Sequence, residues 1–99
     1  MILRYDPDFL NQLKKLDVRI RKSFKEKVAI FTIDPFNPQL ENHVLQREYQ
    51  GYRSIDVTND YRALYQEKVE GDELIAYFTV IGTHDELYGL DKKVNKISN

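Results

Sequence analysis

Two residues capable of proton transfer, His84 and Tyr88, stand four positions apart in the stretch Ile81-Gly82-Thr83-His84-Asp85-Glu86-Leu87-Tyr88. One helical turn over this stretch puts both rings on the same face. An imidazole titrates near neutral pH and can therefore give or take a proton there. The same residues also suit a capped strand end with no chemistry. Asp56, Asp60 and Arg62 follow one another closely earlier in the chain, and a second histidine, His43, precedes them. Carboxylates and imidazoles can act as general acid or base, and a guanidinium can make paired hydrogen bonds to phosphate oxygens. Each has a plainer alternative. His43 can be ordinary surface, Asp60 after Asn59 suits a tight turn, and Arg62 can pair with Asp56 or Asp60 across a hairpin. His43, His84 and an aspartate lack the tight spacing of a zinc ligand set, so no metal or other cofactor is expected.

The elements that must position these residues are readable from periodicity. Ile2-Leu3-Arg4-Tyr5 reads as a short strand, with Asp6 capping a helix whose first turn holds Pro7. Phe9, Leu10, Leu13 and Leu16 recur at helical spacing. Asp17 then caps a second helix carrying Ile20, Phe24, Val28 and Phe31 on one face. Asp34-Pro35-Phe36-Asn37-Pro38 ends it, since proline disfavours helix at its own position and the one before. After a polar connection containing His43, the period changes to two. Gly51 to Val57, Tyr61 to Gln66 and Leu74 to Val80 read as three strands of an antiparallel meander, joined by Thr58-Asn59-Asp60 and Glu70-Gly71-Asp72. Gly82 and Thr83 are expected to break the third strand. If Ile55, Val57, Ala63 and Tyr65 face the core, then Ser54, Asp56 and Arg62 face away. The expected class is α+β: an N-terminal strand, an αα-hairpin packed on the meander, and a short C-terminal helical turn.

Composition limits the function. The 99 residues suffice for one domain, 1–99, with a tail from about 90 expected to be loosely held. The chain is 41% hydrophobic and 12% aromatic, too apolar for a disordered segment. There is no cysteine, which fits a reducing, cytoplasmic setting. No signal peptide and no membrane span are visible, so no membrane partner is expected. The net charge of −1 hides an asymmetry: through Ile30 there are eight Lys/Arg against four acids, and from Ala63 onward four against seven. A basic helical arm on a neutral chain can meet a polyanion locally, or serve as a solvated face.

The blocks His43-Val44-Leu45, Gly51 to Val57, Asp60 to Tyr65 and Ile81 to Tyr88, in this order after a helical hairpin, resemble the RelE/ParE superfamily of bacterial type II toxins, and within it the YafQ-like mRNA interferases. The resemblance covers nearly the whole chain. Its most specific piece is Gly82-Thr83-His84 with an aromatic residue four positions on. It implies a metal-independent endoribonuclease that cleaves mRNA in the ribosomal A site and is held inactive by a cognate antitoxin. It further implies that His84, His43, Asp60 and Arg62 form the catalytic set, with Tyr88, Asp56, Tyr61 and Arg53 binding the substrate. Two positions depart from the YafQ-like pattern: Asp56 stands where that branch has a histidine, and Ile81 where it has an arginine. A ParE-like toxin that binds DNA gyrase, or a catalytically decayed homologue that only binds an antitoxin, would share the same fold.

Overall fold

The computed structural model describes residues 1–88, and the tail expected from about residue 90 lies outside them. The chain forms strand β1 (Ile2–Tyr5), helices α1 (Pro7–Lys15) and α2 (Val18–Ile33), and strands β2 (His43–Val44), β3 (Arg53–Asp56), β4 (Tyr61–Glu70) and β5 (Glu73–Thr83). A helical segment then begins at His84 and continues to the last described residue. The five strands make one sheet in the order β1-β5-β4-β3-β2, with β1 parallel to β5 and the other neighbours antiparallel.

Both helices of the hairpin start where the sequence places a cap. Asp6 and Asp17 accept the backbone N–H of Asp8 and Arg19 through their side chains, at 2.8 and 2.7 Å. The backbone N–H of Asp6 also donates to the carbonyl of Phe78, so α1 begins as a continuation of the β1–β5 ladder. Ser23 on α2 donates to the carbonyl of Val57 at the end of β3, a direct tie between helix and sheet.

The core lies between the hairpin and one face of the sheet. Phe78 on β5 is its centre, with ring contacts to Tyr5, Phe9, Phe24, Phe31 and Tyr65 at 5.2–5.8 Å between centroids. Such offset and edge-on pairs add to the burial of the rings themselves. Phe9, Phe31, Tyr65 and Phe78 have no exposed surface.

Three features differ from the sequence expectation. First, β5 does not stop at Val80. It runs through Gly82, which pairs with Arg62, to Thr83, which pairs with Tyr61. Second, the pairing slips between Leu64 and Tyr65: Tyr65 lies opposite Phe78 and Leu64 opposite Val80, which leaves Thr79 as an extra residue. Simple alternation would put Phe78 and Ile81 on opposite faces, yet both belong to the same core, because the slip resets the phase. Third, the connection holding His43 is structured. It contains the edge strand β2 and two turns of 3₁₀ helix, Pro38–Leu40 and Arg47–Tyr49. Glu41 and Arg47 adopt left-handed backbone conformations, with φ of 48° and 59°. The outer face is correspondingly less solvated than alternation alone suggests, and Ser54 and Leu64 are fully buried there.

Replacing Phe78 with alanine removes the ring that all five aromatic neighbours share. The expected loss is about 3–5 kcal/mol of unfolding free energy, read as a lower urea midpoint with an unchanged slope.

Candidate functional site

Thr83 and Glu86 fix where the histidine stands. The backbone N–H of Thr83 donates to Glu86 Oε1 at 2.8 Å, and the N–H of Glu86 donates to Thr83 Oγ1 at 3.0 Å. This reciprocal pair is a capping box, with Thr83 as the cap and His84 as the first helical residue. Hydrogen bonds from the Thr83 backbone N–H and then from the Thr83 side chain hold the Glu86 carboxyl below its usual range. The helix begins directly from the strand, with Leu87 over Gly82. A Cβ at that position would lie 3.4 Å from Leu87 Cδ2, in ordinary van der Waals contact, so Leu87 packs directly over the strand end.

A second support comes from the β3–β4 turn. The backbone N–H of His84 donates to the carbonyl of Asp60 at 2.7 Å. That turn is organised by Thr58, whose hydroxyl accepts the N–H groups of Asp60 and Tyr61, and by Arg62. Arg62 Nη1 donates to the carbonyls of Thr58, Asn59 and Tyr61 at 2.8, 3.1 and 3.0 Å. Its Nε lies 3.0 Å from Asp56 Oδ1, directly across the β3–β4 ladder, with both side chains mostly buried.

These elements enclose a groove of about 510 Å³ lined by Asn59, Asp60, Arg62, Thr83, His84 and Asp85. His84 is half exposed, its Nδ1 4.0 Å from Asp85 Oδ1. Its ring meets that of Tyr88 edge-on at 4.6 Å between centroids, so the helical turn does put both on one face. Tyr88 also meets Tyr49 edge-on, and its hydroxyl is buried with no hydrogen-bond partner among the described residues.

Of the residues singled out from the sequence, Asp60, Arg62 and His84 come together around this groove. Asp56 adjoins it through Arg62. His43 sits on β2 opposite Ser54, its Nδ1 2.7 Å from the carbonyl of Glu41, and its charge acts on Asp56. Tyr61 and Arg53 lie elsewhere. Tyr61 packs against the core on the helix side of the sheet. Arg53 lies opposite Tyr65, where its Nε donates to Asn42 Oδ1 at 2.9 Å and its guanidinium covers the Phe36 ring at 5.1 Å. Asn42 in turn donates to the carbonyl of Pro35 and to the Tyr65 hydroxyl, so Arg53 belongs to a network that ties the connection to the sheet.

The sequence reading missed Glu41, Asp85 and the Thr83–Glu86 box. The last was visible as Thr-x-x-Glu ahead of an apolar residue. Glu41 was not, because only the fold brings it to Asp56. Burial, and then a hydrogen bond with the Glu41 side chain, push the Asp56 carboxyl up to about 6 against the opposing pull of Arg62 and His43. No group of three or more His, Asp or Glu residues among those described is arranged to hold a metal ion.

The family model for the ParE toxin of type II toxin–antitoxin systems matches residues 3–88, almost all of the described chain. The chain belongs to the ParE toxin family. Solved structures agree in fold. The YoeB/ParE toxin from Agrobacterium tumefaciens is 18% identical, with a TM-score of 0.68 over 85% of this chain and 99% of that one. YafQ from E. coli is 24% identical, with a TM-score of 0.58 over 88% and 97%. The toxin in a RelB-RelE complex from Methanococcus jannaschii is 22% identical, with a TM-score of 0.61 over 88% and 96%. No curated protein matches the sequence. The superfamily resemblance read from the sequence, YafQ-like relatives included, therefore holds for this toxin. Its departure at Ile81 has a structural counterpart, since Ile81 is buried in the core and no cation could stand there without losing that packing.

Asp56 gives this toxin a measurable pH signature. Its folded carboxyl holds a proton up to about pH 6, against 3.8 for the ordinary group. A raised acid contributes stability that is complete below the lower value and is lost as pH rises through the upper one. Between about pH 4 and 7 the wild type should lose about 1–3 kcal/mol that Asp56→Asn does not lose. Urea titrations of both proteins across this range measure the difference.

Proposed function

We propose that this toxin is a metal-independent endoribonuclease that cleaves mRNA in the ribosomal A site, inhibits translation in the cytoplasm, and is neutralised by a cognate antitoxin. The observation that carries this reading is the placement of His84. Its half-exposed imidazole belongs to a residue that lines a groove together with Asp60 and Arg62, with Tyr88 against the ring.

The chemistry follows from the groups. A base, Asp60 or His43, takes the proton of a ribose 2′-hydroxyl. The 2′-oxygen attacks the adjacent phosphorus, the bond to the 5′-oxygen breaks, and protonated His84 gives its proton to that leaving oxygen. Charge develops on the phosphorane, where the positive potential of Arg62 and the N-terminus of the helix starting at His84 are favourable. The 2′-hydroxyl is both nucleophile and RNA signature, so DNA would not be cleaved.

A ParE-like binding toxin is the second reading, favoured by the charge of the groove. Among the described residues that line it Arg62 is the sole arginine or lysine, it is already paired with Asp56, and Asp60 and Asp85 line the same space. Such a lining suits a protein surface, gyrase in this case, better than a bare polyanion.

The antitoxin reading rests on the hairpin and on relatives: solved structures of similar toxins include the DinJ-YafQ complex of E. coli, 27% identical. Here a groove of about 340 Å³ runs between α1 and α2 over Leu10, Leu13 and Val28, flanked by Arg21 and Lys25. Apolar floor and basic rim together suit an amphipathic segment with acidic flanks.

Induction of wild type beside His84→Ala in a bacterial host separates the readings. With a nuclease, growth arrests and new in-frame mRNA ends appear, and the alanine variant loses both through a rate reduction of about 10²- to 10⁴-fold. Arrest that survives the substitution with mRNA intact overturns the nuclease reading in favour of a binding toxin. No arrest from either protein marks a chain without toxic activity.

A further inference from the structure

We infer that Arg62 is a positioning residue for His84, acting with Asp56 as a clamp on the β3–β4 turn, and not a ligand of the substrate phosphate. The kinetic part of this inference rests on the nuclease reading; the structural part does not.

Three of the four carbonyls of residues 58–61 meet Arg62 and the fourth meets His84, while that of Tyr61 also accepts the backbone N–H groups of Val57 and Thr58. Those of Thr58, Asn59 and Tyr61 accept from the single nitrogen Nη1 of Arg62. That of Asp60 accepts from the backbone N–H of His84. The turn therefore stands between the arginine on one side and the histidine on the other. Arg62 is the one side-chain donor that the carbonyls of Thr58 and Asn59, on the N-terminal side of Asp60, share with that of Tyr61, so it bears on the direction of the Asp60 carbonyl between them. Arg62 is itself held, because its Nε meets Asp56 at 3.0 Å on the neighbouring strand and the side chain is only 15% exposed. Opposite it on β5 is Gly82, which carries no side chain. A guanidinium can make several directed bonds from a planar group, whereas an ammonium on a flexible stem cannot hold three carbonyls and a carboxylate at once.

A phosphate ligand and a clamp make opposite demands. A phosphate ligand needs donors aimed into the groove, and its loss weakens binding. A clamp spends its donors on the protein, and its loss disorders the group it positions. Here Nη1 and Nε are directed at the chain.

Backbone amide exchange in the full-length toxin decides the structural part, comparing wild type with Arg62→Lys and Asp56→Asn. The second variant loosens the clamp from its far end and leaves the arginine's charge in place. The inference expects the His84 amide to exchange about tenfold faster or more in both variants, while amides in the middle of β5, such as that of Phe78, keep the wild-type rate. Unchanged exchange at His84 in both, or equal acceleration of the core amides, overturns it.

Cleavage of a single-stranded RNA oligonucleotide, or of mRNA on ribosomes, supplies the kinetic part. A clamp lowers kcat and leaves KM near wild type in both variants, and lysine does not rescue. A raised KM with kcat retained in Arg62→Lys identifies a phosphate ligand and overturns the inference. If the wild type cleaves nothing, the nuclease reading has failed, and the exchange result still decides whether the clamp exists.

Discussion

The single-residue slip at Thr79 is the constraint on which the rest of the molecule turns. A strand can present one face to a core only while its period of two is unbroken. The helical hairpin needs Phe78 inward, because five other rings converge on it. The end of the same strand needs Ile81 inward, so that Gly82 falls on the outer face opposite Arg62. These positions differ in parity, and only an extra residue between them satisfies both. Thr79 is that residue, and its buried hydroxyl without a partner among the described residues marks a local polar cost. Without the slip, either the aromatic core or the groove would be assembled from the wrong side chains.

From that point the site is held by polar contacts of short range. The two bonds of the capping box set the first helical residue, and the Asp60 carbonyl receives the His84 amide. None of these is strong alone, since a typical hydrogen bond contributes about 1 kcal/mol net. Their effect comes from geometry: three contacts from two elements fix one backbone position, which a packed side chain alone would not. The left-handed residue Glu41 extends the arrangement to the third strand, bringing a second carboxyl to Asp56 and the carbonyl that meets His43.

What the sequence revealed follows the range of the interaction concerned. Asp6 and Asp17 were legible as caps because a side chain bonding to a backbone group two residues away is a local event. The helical stripes and the meander were legible because periodicity records which face is buried. The extension of β5 was hidden because a glycine reads as a breaker, although here it pairs within the ladder opposite Arg62. The slip was hidden because alternation carries no mark of where it resets. β2 was hidden because two residues have no period, and its register with Ser54 and Arg53 is set by the fold. Of the candidate site, Asp60, Arg62 and His84 line one groove. Tyr61 was set with them although the same alternation that turned Ala63 and Tyr65 inward turns it inward too. The resemblance supplied Arg53 as a substrate residue, and only the fold shows its contacts with Asn42 and Phe36.

The distribution of charge bears on how such a chain could act on a polyanion. Eight basic residues lie within the first thirty positions, most of them on the two helices, while the groove around His84 carries Asp60 and Asp85. Phosphate contacts supply most of the affinity in nucleic-acid binding, and the described lining of this groove, with Arg62 paired to Asp56, contributes little of that attraction. Its substrate would have to be delivered, held by another body in the geometry that the histidine requires. A toxin working on mRNA already seated in the ribosome meets that condition, because binding is then a matter between two macromolecules and the groove need only supply the proton transfers. The same composition explains why one small partner could silence the molecule. A segment complementary to the basic hairpin would meet an apolar groove rimmed by Arg21 and Lys25, a surface separate from the lining around His84.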